Sequence, residues 1–180
     1  MLEDQDRALV KRCVRGDPKA LAAVVEKYQK PLFNAAYRIL GNPEDAADAT
    51  QAAFLKAFEH LDSFDPKYKF FSWIYRIAVN ESINQLKRNR KHEPLAETAA
   101  AVGPGPHSSA EDGDLKRWIQ DGLMALSVDY RTVIVLRHYS DFSYREISHI
   151  LDIPEKTVKS RLYSARQSMK DRLLANGISL

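Results

Sequence analysis

The sequence predicts an all-α protein of two small helical domains joined by a flexible linker. Three observations carry this. Apolar residues recur at helical spacing along most of the chain, and no run alternates for the length of a strand. Glycine is scarce, at 7 of 180 residues. Residues 93–113 (EPLAETAAAVGPGPHSSAEDG) abandon the periodicity for Ala, Pro, Gly, Ser and acids, a linker composition. A structureless stretch that long would be unusual inside one compact domain. The expected division is therefore 1–92, 93–113 and 114–180.

Each element follows from local signals. Ala8 to Val14 reads as a short helix stopped by Gly16-Asp17-Pro18. Ala20 to Leu40 is one long helix with Pro31 inside it, where a kink or break is expected. Gly41-Asn42-Pro43 is a stop followed by a start, with Asn42 as N-cap and Pro43 at the first helical position. The next helix, Glu44 to Leu61, offers Phe54, Leu55 and Phe58 to a core. A loop around Asp65-Pro66 leads to a helix from Phe70 to Asn89. Beyond the linker, Leu115, Ile119, Leu123 and Leu126 mark an amphipathic helix, and Asp129 to His138 another. Ser143 or Asp141 caps Tyr144–Leu151, with Glu146 placed for a capping box. Pro154 or Glu155 opens the last helix, which carries Val158, Leu162, Ala165, Met169 and Leu173 on one face.

Composition excludes several classes. With 44% hydrophobic and 28% charged residues, the chain is globular rather than disordered. A lone cysteine, Cys13, rules out an internal disulfide and a multi-cysteine zinc site. No apolar run is long enough to span a bilayer, and the polar start MLEDQDRALVKR has no signal-peptide core, so a cytoplasmic location is expected. The five histidines are scattered without metal-ligand spacing, and no phosphate-binding loop or nucleophile elbow occurs, so no catalytic residue, metal or cofactor is expected.

The net charge is only +3, but it is unevenly spread: −5 over residues 42–65, +6 over 67–92, −5 over 93–114 and +4 over 154–180. Two basic blocks beside acidic ones suggest two polyanion-facing surfaces. Residues 143–166 (SYREISHILDIPEKTVKSRLYSAR) have the helix-turn-helix pattern. Opposite the apolar stripe of the second helix lie Lys156, Lys159, Ser160, Tyr163 and Ser164, with Arg166 at the edge. These side chains suit base edges and phosphates. In residues 70–91, Asn80, Asn84, Lys87 and Arg88 share one helical face, and Tyr68, Lys69, Trp73 and Arg76 lie just before it. Aromatics beside cations suit unpaired bases. The acidic helix projects Asp45, Asp48 and Gln51 together. It would repel DNA, so a basic protein partner is the better fit.

The chain resembles the extracytoplasmic-function (ECF) group of bacterial sigma factors over nearly its whole length. DAADATQAAFLKAF (45–58), FFSWIYRIAVNESINQLKR (70–88) and IPEKTVKSRLYSAR (153–166) carry the resemblance. It implies sigma region 2 in the first domain and region 4 in the second. Asp45, Asp48 and Gln51 would dock on the β′ coiled coil of core RNA polymerase, and the β flap would be a further contact. The Asp62–Lys69 loop with Tyr68, Lys69, Trp73, Asn80 and Asn84 would recognise and melt the −10 promoter element, while Arg76, Lys87 and Arg88 hold the strand. Lys159, Ser160, Tyr163 and Ser164 would read the −35 element, with Lys156 and Arg166 on phosphate. An anti-sigma factor or a Ser/Thr kinase are candidate regulators.

The docking helix departs from the family pattern in having Ala47 and Ala52 where acids are usual. Thr50 sits between them and is a candidate phosphorylation site that would restore negative charge; the favoured alternative is that the other contacts suffice. Asn84 stands where an Asp is common. The competing reading, a helix-turn-helix regulator that needs no polymerase, explains residues 115–180 but leaves 44–91 without a role.

Overall fold

The computed structural model describes residues 2–92 and 110–175, and these are almost entirely helical. The first module holds α1 (Leu2–Val14), α2 (Pro18–Leu40), α3 (Pro43–Glu59) and α4 (Phe70–His92). The second holds α5 (Ala110–Met124), α6 (Val128–Ile134), α7 (Tyr144–Leu151) and α8 (Glu155–Ala175). A π-helical turn, Val135–Tyr139, continues α6. Residues 93–109, the bulk of the expected linker, lie outside the described residues. Helix α5 begins at Ala110, inside the segment whose composition reads as linker.

Caps set the boundaries. Asp17 accepts from the Lys19 and Ala20 amides at the start of α2, with Pro18 at its first position. Gly41 ends α2 at φ +79°, donating its amide to the Tyr37 carbonyl. Left-handed backbone is cheap only for glycine, and Asn42 then caps α3 through the Glu44 and Asp45 amides. Of the kink or break expected at Pro31, the break does not occur: α2 runs through it. Its ring removes one helical hydrogen bond, but buried Val24, Tyr28, Leu32 and Ala35 pin the helix on both sides. The Pro31 carbonyl also accepts from Tyr75 Oη at 3.2 Å.

Helix α3 packs through alanines. Ala46, Ala49, Ala53 and Ala57 are fully or nearly buried, which lets α2 and α4 approach closely. Leu55, expected in the core, is instead 59% exposed. It stands two residues from Ala53, about 200° round the helix. Lys56 on α3 pairs with the buried Glu81 carboxylate of α4 at 2.6 Å, fixing the two helices in register.

In the second module, Ile147, Ile150, Val158, Leu162 and Ala165 form the helix-turn-helix core. Ser143 and Glu146 complete the capping box of α7. Asp152 closes α7 at φ +54°. Arg131 of α6 is buried, and its guanidinium donates to the carbonyls of Leu123, Met124 and Leu126. It thereby ties the α5–α6 corner together.

The two modules touch along one side. Arg131 Nη1 donates to the Ile39 carbonyl at 2.5 Å, and Gln120 Nε2 to that of Tyr37 at 3.4 Å. The Met124 side chain lies on Gly41 so closely that a Cβ there would sit 2.2 Å from its sulfur. The Arg38 guanidinium lies 3.7 Å from the ring centre of Tyr139. Phe142 wedges between Phe71 and Tyr75, with ring centres 5.0 and 4.9 Å apart. Finally, Lys69 pairs with Glu146 at 3.1 Å, and Tyr68 stacks on His149 at 4.3 Å.

Candidate nucleic-acid interface

Two cationic helix faces and one mixed face stand out. On α4, burial of Phe70, Ile74, Tyr75, Ala78 and Val79 turns the opposite side to solvent. Asn80, Asn84, Lys87 and Arg88 are exposed there. Arg88 donates to Gln85 at 2.7 Å, which leaves the rest of its planar fork to reach outward. Trp73 and Arg76 are half-buried at the edge of this face. The Trp73 ring leans on Phe64 and Phe70, both ring centres 5.5 Å away. Tyr68 is half-exposed and Lys69 exposed on the loop before the helix. The chain thus gathers amides, bases and aromatic edges along one side of the first module, a set that can hydrogen-bond unpaired bases and follow a strand.

On α8, burial of Val158, Leu162 and Ala165 directs Lys156, Lys159, Ser160, Tyr163 and Arg166 outward. Ser164 is half-buried beside them. Tyr163 is 75% exposed. Lys159 is held by Glu155 one turn earlier at 3.0 Å, and Ser160 donates to the Thr157 carbonyl. Arg166 Nε donates to His138 Nε2 at 3.2 Å. Burial, with Arg166 and Arg137 nearby, pushes the His138 pKa down, so the ring stays neutral and able to accept. Arg161, on the flank, pairs with Asp129 at 2.6 Å and supports α6 rather than the outer face. Hydroxyls and bases on such an outer face are the side-chain chemistry that suits base edges and phosphates.

The third face lies on α3. Asp48 and Gln51 are exposed. Asp45 is turned toward α4, where its carboxylate accepts from Gln85 at 3.1 Å and Asn89 at 3.0 Å. The three residues therefore do not form one free acidic row. Exposed Leu55 contributes instead to an apolar groove of about 580 Å³, walled by Val25, Phe33, Phe54 and Phe58. The groove was not legible in the sequence because Leu55 reads there as a core residue, whereas Phe58 does pack against the core; the buried alanine stripe was the available signal. Thr50 is 7% exposed, and its hydroxyl donates to the Ala46 carbonyl at 2.7 Å. In this conformation the hydroxyl is turned away from any kinase. Among the described residues no cluster of His, Cys, Asp and Glu could hold a metal ion, and no helix is long and apolar enough to cross a membrane.

Comparison with known proteins assigns both modules. Residues 24–92 match Sigma-70 region 2, and residues 116–169 match Sigma-70 region 4. The ECF RNA polymerase sigma factor SigW of Bacillus subtilis is 36% identical over 91% of this chain and 94% of its own. The chain belongs to the ECF sigma factors. A second relative, the ECF RNA polymerase sigma-E factor of Haemophilus influenzae, is 33% identical over 93% of this chain and 95% of its own. Among solved structures, CnrH in complex with the cytosolic domain of CnrY matches with a TM-score of 0.74. It is 26% identical and covers 94% of this chain and 97% of its own. The sigma factor RpoE in complex with the anti-sigma factor NepR, from Bartonella quintana, matches at 0.71 with 27% identity, covering 86% and 97%. In this sigma factor, then, α2–α4 make region 2 and α5–α8 region 4. The α3 groove and the α4 face lie in region 2, and the α8 face in region 4.

Proposed function

We propose that this sigma factor docks on core RNA polymerase through the exposed side of α3, opens and reads the −10 element with α4 and its preceding loop, and reads the −35 element with α8. One observation supports this division best. Each module presents one polar, cationic helix face to solvent, and each face is backed by a closed apolar core. Docking uses Asp48, Gln51 and the Leu55 groove, with Asp45 bracing α3 on α4 rather than reaching the partner. On the promoter, Asn80, Asn84, Tyr68 and Trp73 meet unpaired bases, and Arg76, Lys69, Lys87 and Arg88 follow the strand. Lys159, Ser160, Tyr163 and Ser164 meet base edges, and Lys156 and Arg166 phosphates.

The energetics suit the task. Opening duplex costs about 1.4 kcal/mol per stacked step, and stacking returns about 1–3 kcal/mol per base. Tethering two moderate contacts makes the second effectively intramolecular. The protein acts without catalysis of its own, in the cytoplasm with the polymerase it serves. A regulator of the anti-sigma kind is the expected partner, since two structural relatives were solved with CnrY and NepR. The missing acids at Ala47 and Ala52 are compensated by apolar contact at Leu55, in preference to a phosphate on Thr50.

Run-off transcription with purified core polymerase separates the two DNA roles. Lys159→Ala should weaken initiation by about 1–3 kcal/mol per lost base contact on promoters carrying the −35 element, with little loss where that element is scrambled. Asn80→Ala should impair strand opening, read by permanganate reactivity of unpaired thymines, on both templates alike. If Lys159→Ala weakened both templates equally, α8 would not be the −35 reader.

A further inference from the structure

We infer that Asp45 is a positioning residue for the promoter strand: through Gln85 it sets the pose in which Arg88 meets that strand. The inference rests on the reading of Arg88 as a strand contact given above, and it assigns Asp45 and Gln85 their parts in that contact.

Three hydrogen bonds carry it. Gln85 Nε2 donates to Asp45 Oδ1 at 3.1 Å, Asn89 Nδ2 to Asp45 Oδ2 at 3.0 Å, and Arg88 Nη2 to Gln85 Oε1 at 2.7 Å. Both oxygens of Asp45 are thus engaged on α4, while its backbone amide is tied to the Asn42 cap. A carboxylate only accepts, whereas an amide has a donor end and an acceptor end. Asp45 therefore decides which way the Gln85 side chain faces. The amide nitrogen must turn toward the carboxylate, so the amide oxygen turns outward. A guanidinium has donors and no acceptor, so the outward oxygen is the end that Arg88 can use. Turned the other way, the amide would set N–H groups against N–H groups and push the arginine aside.

The placement of these groups agrees. Gln85, Arg88 and Asn89 share one face of α4 at helical spacing. Asp45, Gln85 and Asn89 are half-buried between α3 and α4, and Arg88 is exposed. The anchored end is shielded from water, and the working end faces solvent. The Lys56–Glu81 pair ties the same two helices about 16 Å further along α3, at 1.5 Å per residue. That tie and the buried alanines of α3 already fix the register of the helices. Stapling alone does not account for a second polar cluster that ends on Arg88. An arginine already held in one pose loses less side-chain freedom when a strand arrives, and its remaining donors keep the planar fork that suits a phosphate. The helix assigned to gripping the polymerase thereby also aims an arginine that grips DNA.

An exchange of polarity tests this. The full chain is assembled with core polymerase in saturating excess, so that a change in docking does not register. The probe is a duplex whose −10 strand is left unpaired, built on a start site that the parent chain uses, and its affinity is read by fluorescence anisotropy. Arg88→Ala should weaken binding and lower the salt slope by about 0.7, as loss of one single-strand phosphate contact does. Asp45→Asn leaves one oxygen to serve two amides, and Gln85→Glu sets two carboxylates face to face. Each should weaken binding about fivefold, the scale of coupling within one hydrogen-bond network. The double variant Asp45→Asn with Gln85→Glu should return to within about twofold of the parent. The introduced amide then donates to the introduced carboxylate, whose other oxygen accepts from Arg88; only the weak 3.4 Å bond from Gln85 to Asn89 is lost. In an Arg88→Ala background neither single change should weaken binding further. A double variant no better than the singles, or single losses that persist without Arg88, would overturn the positioning role while the strand role of Arg88 stands. Unchanged affinity and salt slope in Arg88→Ala itself would remove the strand role, and the positioning role with it.

Discussion

Replacing Asp48 by Arg is expected to abolish capture of core polymerase while leaving the helical circular dichroism and the melting curve unchanged. Asp48 is exposed on α3 and makes no contact that holds the module together. Asp45, by contrast, is bound to Gln85 and Asn89, so its substitution would mix folding with docking. With acids absent at positions 47 and 52, Asp48 is the exposed carboxylate nearest the Leu55 groove in sequence among the residues assigned to docking. Reversing its charge loses one attraction and adds one repulsion against a basic partner. Close interfacial charge pairs couple by about 1.5–7 kcal/mol, so binding should fall by about a hundredfold or more. Native gel shift or analytical gel filtration with purified core polymerase reads the effect. Undiminished co-elution would move the docking surface off α3.

Arg131→Met should unfold region 4. Met conserves much of the volume but none of the donors, leaving the carbonyls of Leu123, Met124 and Leu126 without the guanidinium that now satisfies them. Buried orphans cost about 1–3 kcal/mol each, for a total of about 3–9 kcal/mol over the three. A module of this size holds roughly 3–10 kcal/mol in all. Calorimetry should show the region 4 transition lost or displaced far downward, with region 2 still melting cooperatively. A melting profile matching that of the parent chain would mean that the corner is held by packing alone.

These two residues mark what could and could not be read from the chain. The helices, their caps and the helix-turn-helix were readable because they rest on local rules: Asn42 with Pro43, Ser143 with Glu146, and the apolar stripe of Val158, Leu162 and Ala165. The outer face of α8 followed directly from that stripe. Arg131 was not readable, because its partners are backbone carbonyls and one lies 92 positions away at Ile39; a buried arginine looks the same in sequence as a solvated one. Leu55 misled for the opposite reason. Large apolar residues are usually buried, but here four alanines take the core and leave the leucine outside. The break that Pro31 could have made did not form because local propensity yields to packing on both sides of it. The contact between modules had no sequence signal: Phe142 and His149 are far in sequence from Phe71 and Tyr68, and only the fold brings them together.

Every role proposed above serves one activity, the delivery of core polymerase to start sites by two DNA-reading modules. Run-off transcription from a library of random promoters, with purified core polymerase and the full chain, measures it directly. The expected transcripts begin downstream of two enriched sequence elements, and Lys159→Ala erodes the upstream element alone. Transcripts no more selective than those of core polymerase by itself would contradict it.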